Sequence, residues 1–357
     1  MKNLLVFLCV LVWLGTFAVS GVMAAETPTI TALMDNGPSA NRVNIVFLSE
    51  AYVASQRETY FNDVRIAVDE MFVRTPFKEY KNFFNVSAVW VASKDSLISR
   101  DAGQTYFGLP GWLNPDLEKI DSISRSFFGQ RDPIVAVLLI NDDRIEGGGS
   151  QPEGISLVGV ADKGTGRLHH GSSSQMTFAN VVVHEFAHAF ARLKDESRGN
   201  FAMKPGQSEL NLGGPFINVT TETRRDRIRW KHWIEPTTPI PTPTANGYLG
   251  KIGLFEGANY YTSGWYRPAE TCAMGSLDDW DNMPPFCEVC REALVLAIYK
   301  YVNPLVDVAV DVGVQTTIFT INDLADNPLK VEWLVDGAVA ARDSTAFSVT
   351  DTEIGYG

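Results

Sequence analysis

The pentapeptide His184-Glu-Phe-Ala-His188 is the feature that most restricts how this chain can fold. It follows directly on the apolar run Val181-Val-Val183. On an α-helix, side chains four residues apart project from one face a single turn apart, so both imidazoles can reach one Zn²⁺ at about 2.0 to 2.1 Å. The pattern therefore predicts a helix that begins near Thr177 and continues to Leu193.

Glu185 lies beside the open position of such a metal ion. A carboxylate there can take a proton from a zinc-bound water and pass it to a leaving amine, which is the general acid–base role in metal-assisted hydrolysis. The alternative is a helix whose histidines are ordinary core or surface groups. We favour the zinc site, with Glu185 as the catalytic base, because the preceding apolar run is the context that the motif demands.

The third zinc ligand is not part of this pattern, although a catalytic zinc normally takes three ligands from the protein. In an unbroken helix Asp195 would share the face of His184 and His188 but lie about 10 Å further along the axis. The helix must therefore turn sharply, and no Gly or Pro lies between His188 and Asp195 to ease that turn. Asp195 is the preferred third ligand, and Glu196 and His232 are left open as alternatives.

Strand-like and helical patterns alternate in the chain before the motif. The segments are the strand-like runs 43–48, 84–91 and 134–140 and the helical run 61–72. This alternation predicts an α/β domain.

The pattern changes after Pro304. Short alternating strands are predicted at residues 306–312, 317–321, 329–335 and 347–349. They indicate a small all-β, immunoglobulin-like module, but they are fewer than the roughly seven strands of a complete unit. We place this β-sandwich module at 303–357 and the catalytic domain at 26–302, and whether the module is complete is left open.

Residues 1–25 have the layout of a cleavable signal peptide. Lys2 precedes an apolar run from Leu4 to about Val19, and small residues follow up to Ala25. The run is shorter than the roughly 18 to 20 apolar residues of a spanning helix, so we expect a secreted or periplasmic protein with no membrane span after cleavage. The net charge of -12 opposes binding to nucleic acid and to anionic lipid.

Cleavage of this peptide would remove Cys9 and leave Cys272, Cys287 and Cys290. In an oxidising compartment, one disulfide from Cys272 to Cys287 or Cys290 is the plain expectation. A redox pair and a second zinc bound by the three cysteines are the alternatives.

Several segments, in a shared order, resemble the bacterial IgA-type metallopeptidases, whose signature is HEFGH followed by a Gly and then Asp-Glu-Tyr. The similar segments are His184–Glu196, Asn41–Tyr52, Thr75–Tyr80, Phe83–Val86, Tyr266–Pro268, Cys272–Met274 and Phe286–Arg291. The resemblance spans roughly residues 30 to 300. It implies an α/β zincin domain, metzincin-like with a mixed sheet and an active-site helix, in which His184 and His188 hold zinc and Glu185 is the base.

Three positions depart from the family pattern. Ala187 and Arg192 stand where the family usually has Gly, and Ser197 stands where it has Tyr. A Gly at position 192 would ease the turn that brings Asp195 to the metal, so this departure bears most on the third ligand.

Two further assignments concern the surroundings of the metal. Cys272-Ala-Met274-Gly275 resembles the tight turn that places a Met beneath the metal in such zincins, and an ordinary core Met is the alternative. Hydrolysis through a tetrahedral intermediate needs a hydrogen-bond donor for the developing oxyanion. Tyr266, a few residues before the Met turn, is our candidate, with Tyr260, Tyr261 and a plain core role as alternatives.

Two hypotheses of different classes follow. The first is an exported zinc-dependent endopeptidase that hydrolyses extracellular proteins, with immunoglobulin and mucosal glycoproteins among the open substrates. The second is a cell-surface protein- or glycan-binding protein with a vestigial zinc site. Glu185 favours the first, because a purely structural HxxxH site has no use for a carboxylate at that position.

Overall fold

A six-stranded mixed sheet organises the first part of the chain. Its strands are β1 (Thr29–Met34), β2 (Val43–Glu50), β3 (Phe84–Trp90), β4 (Ile134–Asn141), β5 (Gly147–Ser150) and β6 (Ile155–Val160). Their order is β1-β3-β2-β4-β6-β5. The four inner strands are parallel, and β1 and β5 run antiparallel at the two edges.

The computed structural model describes residues 27–95, 106–107, 116–129, 131–141, 147–150, 155–160, 174–203, 207–210, 214–275, 282–305, 307–322 and 330–350. The predicted signal peptide, residues 1–25, lies outside this part of the chain. Within the described residues, no helix is long and apolar enough to cross a membrane.

Helices cover both faces of the sheet. They are α1 (Arg57–Phe72), α2 (Leu117–Ser126), α3 (Ser174–Ala191) and α4 (Glu288–Tyr301). Successive side chains of a strand point to opposite faces, so Ile45 and Phe47 of β2 pack with α1, α3 and α4, whereas Val46 and Leu48 pack with α2. A parallel strand buried on both faces is nearly continuously apolar, and residues 45–48 of β2 show this pattern in the sequence. The predicted α/β domain is confirmed as a mixed α/β fold.

A β-hairpin follows a segment whose described residues form no α-helix and no extended strand. Where the structure describes it, the chain from 192 to 254 holds only three-residue 3-10 helices and isolated bridges. The hairpin consists of β7 (Phe255–Ala258) and β8 (Tyr261–Arg267). Its two turn residues, Asn259 and Tyr260, have φ of 51° and 64°, as the favoured two-residue hairpin turn requires.

The C-terminal residues form strands, as their alternation predicts. The strands β9 (Asp307–Val312), β10 (Thr316–Asn322), β11 (Glu332–Val335), β12 (Ala338–Arg342) and β13 (Ala346–Thr350) form a three-stranded and a two-stranded sheet. β12 was not predicted from the alternation, although Asp336-Gly337 is a hairpin turn signal in the sequence, and both residues have positive φ in the structure. The immunoglobulin-like character of this module and its boundary at residue 303 stay predictions.

Candidate active site

Two histidines of α3 turn the same ring atom toward each other. The Nε2 atoms of His184 and His188 are 3.0 Å apart, and both side chains are buried. Each Nδ1 is 2.7 to 2.8 Å from a backbone carbonyl oxygen, that of Ala273 for His184 and that of Leu193 for His188. Carbonyl oxygens only accept, so each Nδ1 carries the proton and each neutral ring presents its Nε2 lone pair to the other.

Asp195 completes this group. Its Oδ1 lies 3.1 Å from Nε2 of His184 and 3.4 Å from Nε2 of His188. Burial acts to raise the pKa of Asp195, but its close contacts with the two histidines outweigh burial and hold that pKa well below its usual value. Three acceptor atoms this close need a shared cation, which can be a proton or a metal ion.

The turn that brings Asp195 to the histidines falls at Arg192. Helix α3 ends at Ala191, two residues before the predicted end, and the last bond runs from Arg192 N–H to the His188 carbonyl. Arg192 has φ of 58°, in the left-handed region that normally favours glycine. A non-glycine residue in this conformation costs roughly 1 to 2 kcal/mol. The turn is therefore made without the Gly that the family pattern places at this position.

The segment after this turn is fixed on two sides. The side chain of buried Asn218 accepts from Lys194 N–H and donates to Lys194 O, each at 2.8 Å. The amide of Asn259, in the hairpin turn, donates to the Asp195 carbonyl oxygen at 2.9 Å. These long-range contacts, from residues distant in sequence, offset the local cost at Arg192 and hold Asp195 in place.

Glu185 lies in the same buried region. It is 7% exposed, and its electrostatic partners are His188, His184 and Asp195. Burial raises the pKa of Glu185 above its usual value, the two histidines oppose that shift, and Asp195 adds to it. A carboxylate in this setting is a stronger base than an exposed glutamate.

Tyr260 is the tyrosine whose described interactions reach the site. Burial raises its pKa, and a hydrogen bond from its hydroxyl to Asp195 and the charges of Asp195 and Glu185 raise it further. The side chain stays 47% exposed. Tyr266, the residue that the sequence analysis favours, bonds through its backbone to Thr220 and has Glu256 as its charged neighbour. The oxyanion role of Tyr266 stays a prediction.

The alternative third ligands lie in other interactions. His232 is exposed, and its Nε2 is 2.9 Å from Oε2 of Glu292. Glu196 is buried and accepts a hydrogen bond from the Cys290 thiol at 3.0 Å. The structure therefore brings Asp195, rather than either alternative, to His184 and His188.

Residues Cys272–Gly275 form the tight turn that the sequence indicates. Gly275 N–H donates to Cys272 O at 2.8 Å, and Met274 is fully buried within it. The turn meets the site through its backbone, because Ala273 O accepts from His184 and Met274 O accepts from Glu196 N–H.

One comparison with known proteins gives a match. A protein-family model described as IgA Peptidase M64 matches residues 31–108, 159–249 and 244–298. These segments cover more than half of the chain and include the histidines, Asp195 and the β7–β8 hairpin. A search of the curated proteins finds no match.

Proposed function

The chain belongs to the IgA peptidase M64 family and is therefore a metallopeptidase, and we propose that it is an exported, zinc-dependent endopeptidase with Glu185 as general base. The observation that carries the proposal is the convergence of His184, His188 and Asp195, whose donor atoms all lie within 4.8 Å of one another. Export rests on the signal-peptide pattern of residues 1–25.

The residues present fit a catalytic zinc. Two imidazole nitrogens and one carboxylate oxygen are ligands that zinc accepts, and three protein ligands leave a fourth position for water or substrate. The Nδ1 bonds to the carbonyls of Ala273 and Leu193 orient both rings, as the outer partners of zinc-bound histidines do. A zinc ion bound here would polarise the scissile carbonyl and lower the pKa of water to about 7.

Glu185 and Tyr260 carry the proton and charge steps in this proposal. Glu185 accepts the proton of the attacking water and delivers it to the leaving amine, which contributes about 10²- to 10⁴-fold in rate. Its burial makes it basic enough to do so. The half-exposed Tyr260 hydroxyl, next to Asp195 and Glu185, donates to the oxyanion that forms on the substrate.

The sheet supports an extended polypeptide as the substrate. β5 is an edge strand, and α3 packs against both β5 and β6. An edge strand presents backbone groups that can pair with an extended peptide, and a peptide paired there would lie beside the helix that carries Glu185. Extracellular proteins are the proposed substrates, with immunoglobulin and mucosal glycoproteins as candidates to be tested.

The test compares the wild type with Glu185→Gln for zinc content and for cleavage of a broad peptide library. We expect unchanged zinc and a fall in cleavage of about 10²- to 10⁴-fold. Glu58→Gln is the matched control, because it is the same change on an exposed side chain of α1. Equal cleavage by wild type and Glu185→Gln would refute the proposal and favour the protein- or glycan-binding alternative.

A further inference from the structure

A second group of potential metal ligands begins one residue after Asp195. Glu196, Cys272, Cys287 and Cys290 each offer one donor atom, and these atoms all lie within 4.8 Å of one another. All four side chains are buried, with exposed fractions of 6% or less. Glu196 comes from the loop after α3, Cys272 from the tight turn, and the other two from the start of α4.

The Glu196 carboxylate carries an observation independent of the cysteines. Its Oε1 accepts from Asn218 Nδ2 at 2.9 Å and from the Cys290 thiol at 3.0 Å. Its Oε2 is buried and has no hydrogen-bond partner among the described residues. An unpaired buried polar atom costs about 1 to 3 kcal/mol, and more when it is charged. The cluster is therefore incomplete without a cation or a further hydrogen-bond donor for Oε2.

We propose that Glu196, Cys272, Cys287 and Cys290 bind a structural Zn²⁺. Three thiolates and one carboxylate fill four-coordinate zinc, and the soft sulfur ligands select it over calcium or magnesium. With Zn–S distances of about 2.3 Å, tetrahedral geometry places sulfurs roughly 3.8 Å apart, which the observed spacing accommodates. Binding releases the thiol protons to solvent, and no position is left for substrate.

The immediate surroundings suit a thiolate cluster. The backbone N–H of Cys287 donates to Cys272 Sγ at 3.3 Å, and Cys287 is the N-terminal cap of α4, where the helix dipole favours negative charge. Arg267 is a charged neighbour of Glu196 and supplies positive charge beside the ligands.

A disulfide explains the same residues less completely. All three cysteines are free thiols in the structure, so the disulfide expected from the sequence is not formed. A bridge between any two would leave one buried thiol and would not pair Glu196 Oε2. A metal ion satisfies all four groups at once.

The position of this ion would let it hold the catalytic ligands in place. That role rests on the proposed function, whereas the binding of zinc by Glu196 and the three cysteines does not rest on it. Glu196 adjoins Asp195, and Cys272 adjoins Ala273, whose carbonyl orients His184. The ion would therefore tie together the loop and the turn that set the geometry of the catalytic ligands. It would also cross-link residues that are far apart in sequence, as the structural metal ions that stabilise folded domains do.

The test measures zinc per chain and the state of each cysteine in the full chain, purified without chelator or reductant. We expect two zinc ions in the wild type and one in His188→Ala. Cys290→Ser should also hold one, while Glu58→Gln, a change on an exposed side chain of α1, should hold two. After denaturation in chelator, alkylation mapped by mass spectrometry should modify Cys272, Cys287 and Cys290 alike.

Two results would overturn the inference. One is a disulfide between any two of the three cysteines in the wild type. This result does not depend on whether any variant folds. The other is His188→Ala that holds no zinc and, when loaded with Co²⁺, shows no cobalt–thiolate absorption. Failure of the proposed function gives a different result from failure of this inference. If His184, His188 and Asp195 bind no zinc, His188→Ala will hold as much zinc as the wild type.

Discussion

Asp195 and Glu196 are neighbours in sequence, yet their carboxylates enter two clusters of opposite character. Asp195 joins two imidazoles, and its side chain is 20% exposed next to a half-exposed tyrosine. Glu196 is 1% exposed and joins three thiols. The first cluster keeps a side that a substrate can reach, whereas the second is closed. One loop, made possible by the turn at Arg192, thus carries a carboxylate of each of the two proposed sites, one for chemistry and one for stability.

The largest expected effect comes from disrupting only the cluster of His184, His188 and Asp195, which we call the open cluster. Asp195→Asn keeps the shape of the side chain but weakens its binding to zinc, so we expect cleavage to fall roughly 10³-fold, comparable with the loss of a general base. The zinc of the thiol cluster should remain. Peptide cleavage and metal analysis measure both effects. Cleavage near the wild-type rate would show that Asp195 is not a ligand and would reopen the assignment.

Tyr260→Phe tests whether the open cluster includes an oxyanion donor. Removal of one such donor costs about 10²- to 10³-fold in kcat, and we expect a fall near the lower figure, with KM little changed. Tyr266→Phe is the matched control, because its described contacts lie with Thr220 and Glu256. The reverse result, a loss in Tyr266→Phe alone, would support Tyr266, the residue that the sequence favours, as the oxyanion donor.

Asn218→Ala tests the joint between the clusters. Asn218 bonds both backbone groups of Lys194 and the Glu196 carboxylate, and the variant removes these three buried or partly buried hydrogen bonds. We expect the free energy of unfolding to fall by about 2 to 3 kcal/mol, measured by denaturant titration in excess zinc.

Asn41→Ala is the control for this change. Asn41 also bridges two backbone groups, both of Asn303, but those bonds are exposed to water. Its loss should cost less than about 1 kcal/mol. Equal costs in the two variants would show that Asn218 does not hold the loop through buried bonds.

The sequence predicts the elements of this fold better than it predicts the connections among them. The strand at 43–48 follows from a strand-like run of apolar residues, and the helix that carries His184 and His188 follows from the motif and the apolar run before it; both are local properties. The turn at Arg192 does not, because local rules ask for Gly, and the groups that hold the turn, Asn218 and Asn259, are distant in sequence. The sequence favours Tyr266 over Tyr260 because Tyr266 is nearer to the Met turn along the chain. In the structure, the hairpin turn brings Tyr260 to Asp195, and nearness along the chain does not predict this.

The smallest expected effect tests whether that turn is under strain. Arg192 is exposed and has φ of 58°, so Arg192→Gly removes a steric cost of roughly 1 to 2 kcal/mol. Glycine loses about 0.5 to 1 kcal/mol more entropy on folding, so the midpoints of the two ranges leave a gain of roughly 0.75 kcal/mol in the free energy of unfolding. Arg192→Ala is the control, because alanine keeps the steric cost and should stay within about 0.5 kcal/mol of the wild type. If glycine gave no gain over alanine in excess zinc, the left-handed residue would cost nothing, and the bonds to Asn218 and Asn259 would not be needed to offset it.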